Sequence, residues 1–330
     1  MTWMALVNDY DALLLDLDGT VWSGGEAIPY AVEEIVSSGL PVVYITNNAS
    51  RGASQVASML KTIGLSPEPQ DVLTSAHAAL VMAEEYLQPG DRVLVVGAES
   101  FRELVSDAGY EPVSSADDNP KVVLHGHNPD TGWRELSEAA LAIQRGAQYL
   151  ASNLDTTLPM ERGFMVGNGS MVAAVTSATG VVPRSAGKPE PAMFTQAVAA
   201  TGATRPLAVG DRLDTDIAGG VAAGVDTLHV LTGVSGPLAL LEAPPEHRPT
   251  YIAEDLRGLS QEAAKLRPGA QGGFTARVDG SDIILSGGDE GATSVQALRT
   301  ALQVAWHMDS PPELVRPNSD AADAATKQWW

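Results

Sequence analysis

Ala12-Leu13-Leu14-Leu15-Asp16-Leu17-Asp18-Gly19-Thr20-Val21 decides the fold. Four apolar residues lead into two acids one residue apart, and a glycine follows directly. A short apolar run closed by a turn residue predicts a buried strand, here Leu13 to Leu17, with both acids at its mouth. Residues two apart on a strand share a face, so Asp16 and Asp18 are expected side by side. Two like charges held together are costly unless a cation or a retained proton relieves them. The stretch therefore outlines a catalytic site at a strand end.

Working outward, short apolar runs alternate with amphipathic stretches. Val42–Thr46, Arg92–Gly97, Val122–Gly126, Gln148–Ser152, Pro206–Gly210 and Thr227–Leu231 read as further strands. Tyr30–Ser38, Ala53–Ile63, Ala76–Leu87, Phe101–Ala108, Trp133–Arg145, Met171–Ala178, Pro191–Thr201 and Ile217–Ala223 read as helices. Glycines close several of these, among them Gly39, Gly64 and Gly180, as left-handed caps do. This alternation predicts an α/β protein with a mostly parallel, Rossmann-like sheet. Ligands of such sheets bind beyond the carboxyl ends of the strands. The polar residues found there are Asp16 and Asp18, then Thr46-Asn47-Asn48, then Gly210-Asp211, with Lys188 before Pro189 between the last two.

Composition narrows the partners. The chain has 330 residues, and 44% of them are hydrophobic, enough for two or three domains with ample cores. A net charge of -21 repels nucleic acid and anionic lipid, so neither is expected as a partner. A phosphate-bearing ligand would need local positive charge from a metal or a placed lysine. The absence of cysteine excludes disulfides, thiolate zinc sites and a cysteine nucleophile. Met1 to Tyr10 carries no secretory pattern and no run is long enough to span a membrane, so a cytoplasmic protein is expected.

Each polar segment alone is an ordinary turn, cap or surface charge. Their order along the chain, three of them at strand ends, makes them one constellation. A carboxylate at Asp16 can attack phosphorus and form an aspartyl phosphate. Asp18 can protonate the leaving alkoxide and later deprotonate water. Asp211 is a natural second carboxylate for Mg2+, a hard cation that takes oxygen ligands. Thr46 offers a hydroxyl, the backbone N–H groups of Asn47 and Asn48 offer donors, and Lys188 a compact positive charge. Asp216 could orient Lys188 or hold a metal-bound water.

Asp16-Leu17-Asp18-Gly19-Thr20-Val21, Ile45-Thr46-Asn47-Asn48, Gly187-Lys188-Pro189 and Gly210-Asp211-Arg212-Leu213-Asp214-Thr215-Asp216-Ile217 resemble the four motifs of the haloacid dehalogenase superfamily. The likeness is to its aspartate-nucleophile phosphatases with a large α/β cap, and it covers about residues 9 to 260. It implies Asp16 as nucleophile, Asp18 as acid and base whose carbonyl also meets Mg2+, and Thr46, Asn47, Asn48 and Lys188 as phosphate binders. Asp211 is then a metal ligand, beside Asp16, and Asp216 a support. It also implies a core of residues 1–81 and 186–260 and an inserted cap at 82–185. The 139 residues between Asn48 and Lys188 are too many for a simple crossover. Residues 267–330 fall outside the resemblance and read as a small α+β extension, a hairpin around Asp279-Gly280-Ser281, a helix Ser294–His307 and a loose tail from Pro311. It is expected to pack on the core or on a second subunit, so a homo-oligomer stays open, with Trp306 and Trp329-Trp330 as docking anchors.

The expected substrate is a small phosphorylated metabolite. Glycerol 3-phosphate comes first, because a capped pocket suits a short polyol. Phosphoglycolate follows, then pyridoxal phosphate or a nucleotide monophosphate, for which the cap offers only Tyr110, Trp133, Tyr149 and Phe164. A phosphotransferase and a non-enzymatic sensor are the alternatives of other classes. In the cap, Val123-Leu124-His125-Gly126-His127-Asn128 carries asparagine where related caps have aspartate. His125 and His127 either reach a ligand or close a strand end. Asn153 and Asp155 form an Asn-x-Asp turn, and Arg51 and Arg162 are mobile positive charges.

Overall fold

The computed structural model describes residues 5–160 and 162–329; Trp330 and the side chain of Phe164, both named above, lie outside that description. The protein is α/β with mostly parallel strands, as its alternating pattern predicts. Two compact units are formed, one by the chain up to Val42 together with Thr201 onward, the other by Val43–Ala200. No helix among the described residues is long and apolar enough to cross a membrane.

In the first unit the parallel strands Ala12–Leu15, Pro206–Gly210, Asp226–Val230 and Tyr251–Ala253 lie side by side. Leu13, Leu14 and Leu15 are fully buried, as expected of a strand covered on both faces. Leu15 pairs with Val209 and Gly210 with His229, so these strands finish at one level. That register is what delivers Asp16 and Asp211 to the same rim. The ladder stops at Leu15, with one further bond from Asp16 N–H to the Val209 carbonyl at 2.9 Å. The Leu17 carbonyl then accepts from the N–H groups of Thr20, Val21 and Trp22. Asp18 therefore belongs to a turn, and its relation to Asp16 is not the i, i+2 relation of a strand.

Residues 267–330 belong to this same unit. Phe274–Asp279 and Asp282–Gly287 form the expected hairpin. The tail expected to be loose contributes a third strand, Val315–Pro317, parallel to the second, and a helix, Asp320–Thr326. Phe274, Ile283, Leu285, Leu298, Leu302 and Trp329 are buried in one cluster with Leu213, Ile217, Leu240, Leu241 and Ile252. The extension thus docks on its own chain. The Trp306 indole N–H donates to the Leu240 carbonyl at 2.9 Å, and the buried Arg299 guanidinium donates to the Ile252 carbonyl from Nε at 2.9 Å. Burial lowers the Arg299 pKa to about 10.

In the second unit Val42–Thr46 pairs in parallel with a three-residue strand, Val72–Thr74, that the sequence pattern does not announce. A five-stranded parallel sheet runs in the order Arg184–Ser185, Gln148–Ala151, Val122–His125, Arg92–Val96, Glu111–Val113. Helices Trp133–Gln144 and Asn168–Thr179 cover it through Ala139, Ala142, Ile143, Val172 and Val175. Thr157–Met160 and Gly163–Val166 make an antiparallel hairpin.

Candidate active site

In the first unit three carboxylates converge. Asp16, Asp211 and Asp216 each offer an oxygen, all within 4.8 Å of one another. Asp211 is fully buried and Asp216 nearly so. The backbone around them leaves no room for a Cβ at three glycines. A Cβ at Gly210 would lie 2.3 Å from the Asp216 Cβ, one at Gly19 2.6 Å from Asp211 Oδ2, and one at Gly233 1.9 Å from the same oxygen. Asp211 Oδ2 accepts the Val234 N–H at 2.6 Å and Asp216 Oδ2 the Arg212 N–H at 3.0 Å. Ser235 donates its N–H to the Asp211 carbonyl at 3.1 Å and receives the Leu213 N–H on its hydroxyl at 3.1 Å. His229 closes the loop on the Ser235 carbonyl through Nε2 at 2.9 Å, and burial holds its pKa down at about 4.

Three acids packed this closely repel one another. An all-oxygen donor set of this spacing fits a hard divalent cation such as Mg2+. The Asp18 side chain is not in the cluster. Its Oδ1 accepts the Trp22 indole N–H at 2.9 Å, which fixes the carboxyl direction. Trp22, Gly233, Val234 and Ser235 escape the sequence reading. The last three had a usable signal, a Gly/Ser-rich loop directly after a strand that ends on the same rim.

The second unit assembles the other group. Thr46 is buried, and its Oγ1 accepts the Asn48 N–H at 3.1 Å, so that backbone donor is engaged within the loop. Asn48 Oδ1 accepts the N–H and the hydroxyl of Ser50, at 2.9 and 2.6 Å. The Asn47 side chain makes a two-point clip to the Lys188 backbone, with Nδ2 donating to the Lys188 carbonyl at 3.0 Å and Oδ1 accepting the Lys188 N–H at 2.9 Å. The Lys188 side chain is only 4% exposed, with Nζ 3.3 Å from the Ile45 carbonyl it donates to. A Cβ at Gly187 would lie 2.8 Å from Asn47 Oδ1, so glycine there lets the two segments meet.

The remaining candidates sort by burial. His125 is fully buried, its Nδ1 is 2.8 Å from the Tyr149 hydroxyl, and desolvation lowers its pKa to about 4. It is a neutral core side chain. Burial also lowers the His127 pKa. Asn128 closes a strand end, donating to the Gly97 carbonyl at 3.1 Å. Asn153 donates to the Asn47 carbonyl at 2.8 Å, and Asp155 accepts from Asn47 Nδ2 at 3.2 Å. Arg51, Arg162 and Trp133 are exposed, and Tyr110 is half-buried.

Comparison with known proteins adds a lineage. Residues 13–111 match the model of the haloacid dehalogenase-like hydrolases, and residues 185–259 match a second model of HAD-like hydrolases. D-glycerol 3-phosphate phosphatase of Mycobacterium tuberculosis is 41% identical over 98% of this chain and 95% of its own length. A crystal structure of glycerol phosphate phosphatase from that organism in complex with magnesium superposes with a TM-score of 0.94 at 41% identity, covering 99% of each chain. An acid sugar phosphatase of Staphylococcus aureus is 34% identical over its whole length but covers 78% of this chain.

Proposed function

The chain belongs to the haloacid dehalogenase-like hydrolases, and on that premise we propose that it is a Mg2+-dependent phosphatase that hydrolyses glycerol 3-phosphate through an aspartyl-phosphate intermediate. The observation that carries the substrate is the end-to-end likeness, 41% identity over 98% of the chain, to an enzyme named for that ester. The acid sugar phosphatase, by contrast, leaves about a fifth of the chain unmatched.

Asp16 attacks phosphorus as the bond to the glycerol oxygen breaks, and that oxygen takes the proton of Asp18. Water then attacks the aspartyl phosphate, giving its proton back to Asp18 and freeing Asp16 and inorganic phosphate. The indole N–H of Trp22 aims the Asp18 carboxyl through both steps. The Thr46 hydroxyl, the Asn47 N–H and the Lys188 ammonium hold the phosphoryl oxygens, and Asn48 braces the loop through Ser50. Mg2+ would be held by Asp16, Asp211 and the Asp18 carbonyl, with Asp216 behind them, and would neutralise charge as two anions approach. Residues 82–185 serve as the cap, which excludes water and contacts the glycerol end. The enzyme acts in the cytoplasm.

The test is a screen of small phosphate esters ranked by kcat/KM, with and without Mg2+. Glycerol 3-phosphate should lead phosphoglycolate, pyridoxal phosphate and nucleotide monophosphates, and chelation should abolish turnover. Asp16→Asn should lose at least about a thousandfold in kcat. Wild-type turnover in Asp16→Asn would remove the nucleophile assignment, and a different leading ester would remove the substrate.

A further inference from the structure

Asn47 carries a side chain whose hydrogen-bonding capacity is spent inside the protein. One amide hydrogen goes to the Lys188 carbonyl, the other points at the Asp155 carboxylate, with Nδ2 3.2 Å from Oδ2 and 3.4 Å from Oδ1. The amide oxygen accepts the Lys188 N–H. Its backbone carbonyl is held as well, by the Ser75 hydroxyl at 2.6 Å and by Asn153 Nδ2 at 2.8 Å. The residue whose backbone N–H the sequence offers to a phosphate has a side chain that is a clip fixing where Lys188 begins.

Asp155 is the charged end of that clip. A carboxylate accepts only, so it obliges the amide nitrogen of Asn47 to face it, and it strengthens the donor by charge assistance. The turn that carries Asp155 is itself held. The Gly169 N–H donates to the Asp155 carbonyl at 2.8 Å, Asn168 Nδ2 donates to the Asn153 carbonyl at 2.8 Å, and Asn153 Oδ1 accepts the Asp155 N–H at 3.2 Å. Gly169 is required for this approach, since a Cβ there would lie 2.1 Å from the Leu154 carbonyl oxygen. The start of helix Asn168–Thr179 thus anchors the Asn-x-Asp turn, and the turn anchors the Asn47–Lys188 pair.

We propose that Asp155 is a positioning residue for phosphate binding, acting through the Asn47 amide to hold the Lys188 backbone in register; this rests on the phosphatase reading. Because it acts through the loop and not on the ester's organic part, its effect is the same for every ester and for free phosphate. Removing a charge-assisted bond of this kind loosens binding about tenfold.

The experiment measures the inhibition constant of inorganic phosphate, and KM and kcat for glycerol 3-phosphate and p-nitrophenyl phosphate, in wild type, Asp155→Ala, Asp155→Asn, Asn47→Ala and the double variant. Asp155→Ala should raise the phosphate inhibition constant and both KM values by about tenfold alike. Asp155→Asn, which still presents an acceptor oxygen, should stay within about threefold of wild type. On the Asn47→Ala background the Asp155 change should add nothing. Asp155→Ser, small and polar, replaces the alanine variant if that one does not fold. A loss confined to glycerol 3-phosphate would overturn the proposal by placing Asp155 on the leaving group. So would an unchanged phosphate constant, or an undiminished effect without Asn47. A wild-type protein inactive on every ester would instead defeat the phosphatase reading, a distinct outcome.

Discussion

His125 is a titratable group that the second unit keeps neutral. Desolvation depresses its pKa to about 4 from 6.5, and its imidazole Nδ1 meets the Tyr149 hydroxyl. A histidine whose folded pKa is depressed binds more protons unfolded than folded between those two values. Its contribution to stability is therefore complete above about pH 6.5 and is lost as pH falls towards 4. The slope from this one group is at most about 1.4 kcal/mol per pH unit. Urea unfolding at several values between pH 7 and 4.5 should show stability falling with acid, and His125→Phe should remove up to one proton from that dependence. An unchanged slope in the variant would mean that His125 is solvated. At the same scale, Gly233 explains why the carboxylate cluster was only partly legible. The acids announce themselves by type and spacing, whereas the glycine that makes room for Asp211 is visible only once the loop is folded over the carboxylate.

Among the elements, helix Asp320–Thr326 shows where sequence periodicity gives out. Its residues, Asp-Ala-Ala-Asp-Ala-Ala-Thr, lack the large apolar side chains that make a stripe, so the segment reads as tail. What fixes it is local and tertiary. Ser319 caps it, accepting the Ala322 N–H at 3.2 Å and donating to the Gly287 carbonyl at 2.6 Å. Beyond it Trp329 is buried, with its indole N–H donating to the Ser294 hydroxyl at 2.8 Å. Trp329→Ala should cost about 3–5 kcal/mol of unfolding free energy by denaturant titration. A loss below about 1 kcal/mol would show that this anchor is not closed in solution. The long strands, by contrast, were legible to within a residue or two, because Ala12–Leu15, Pro206–Gly210 and Asp226–Val230 are buried runs with turn residues behind them. Val72–Thr74 and Arg184–Ser185 are too short to carry a period and are held by their partner strands. The extension hairpin was read correctly from Asp279-Gly280-Ser281, but its docking on the core was left open between core and second subunit. That choice depends on Leu213, Ile217, Leu240 and Leu241, apolar positions whose uncovered face has no signature in a linear pattern.

For the whole molecule, the net charge of -21 sets the terms on which an anionic ester approaches. At low ionic strength the field of such a protein extends about 30 Å at 0.01 M salt, and it shrinks to about 10 Å at 0.1 M. A phosphate dianion therefore meets repulsion during diffusion that salt removes. On the proposed reading, the attraction it needs is short-ranged and comes from the buried Lys188 and from the cation that the three acids fit. Added monovalent salt screens the long-range repulsion far more than contacts made in a desolvated site. With Mg2+ held saturating, raising NaCl from about 10 mM to about 150 mM should increase kcat/KM for glycerol 3-phosphate severalfold and leave kcat unchanged, because only the encounter is affected. Stopped-assay phosphate release across that range would show it. A fall in kcat/KM with salt would mean that the approach to the site is locally positive despite the charge of the chain. The residues to search for that field would then be the exposed Arg51 and Arg162.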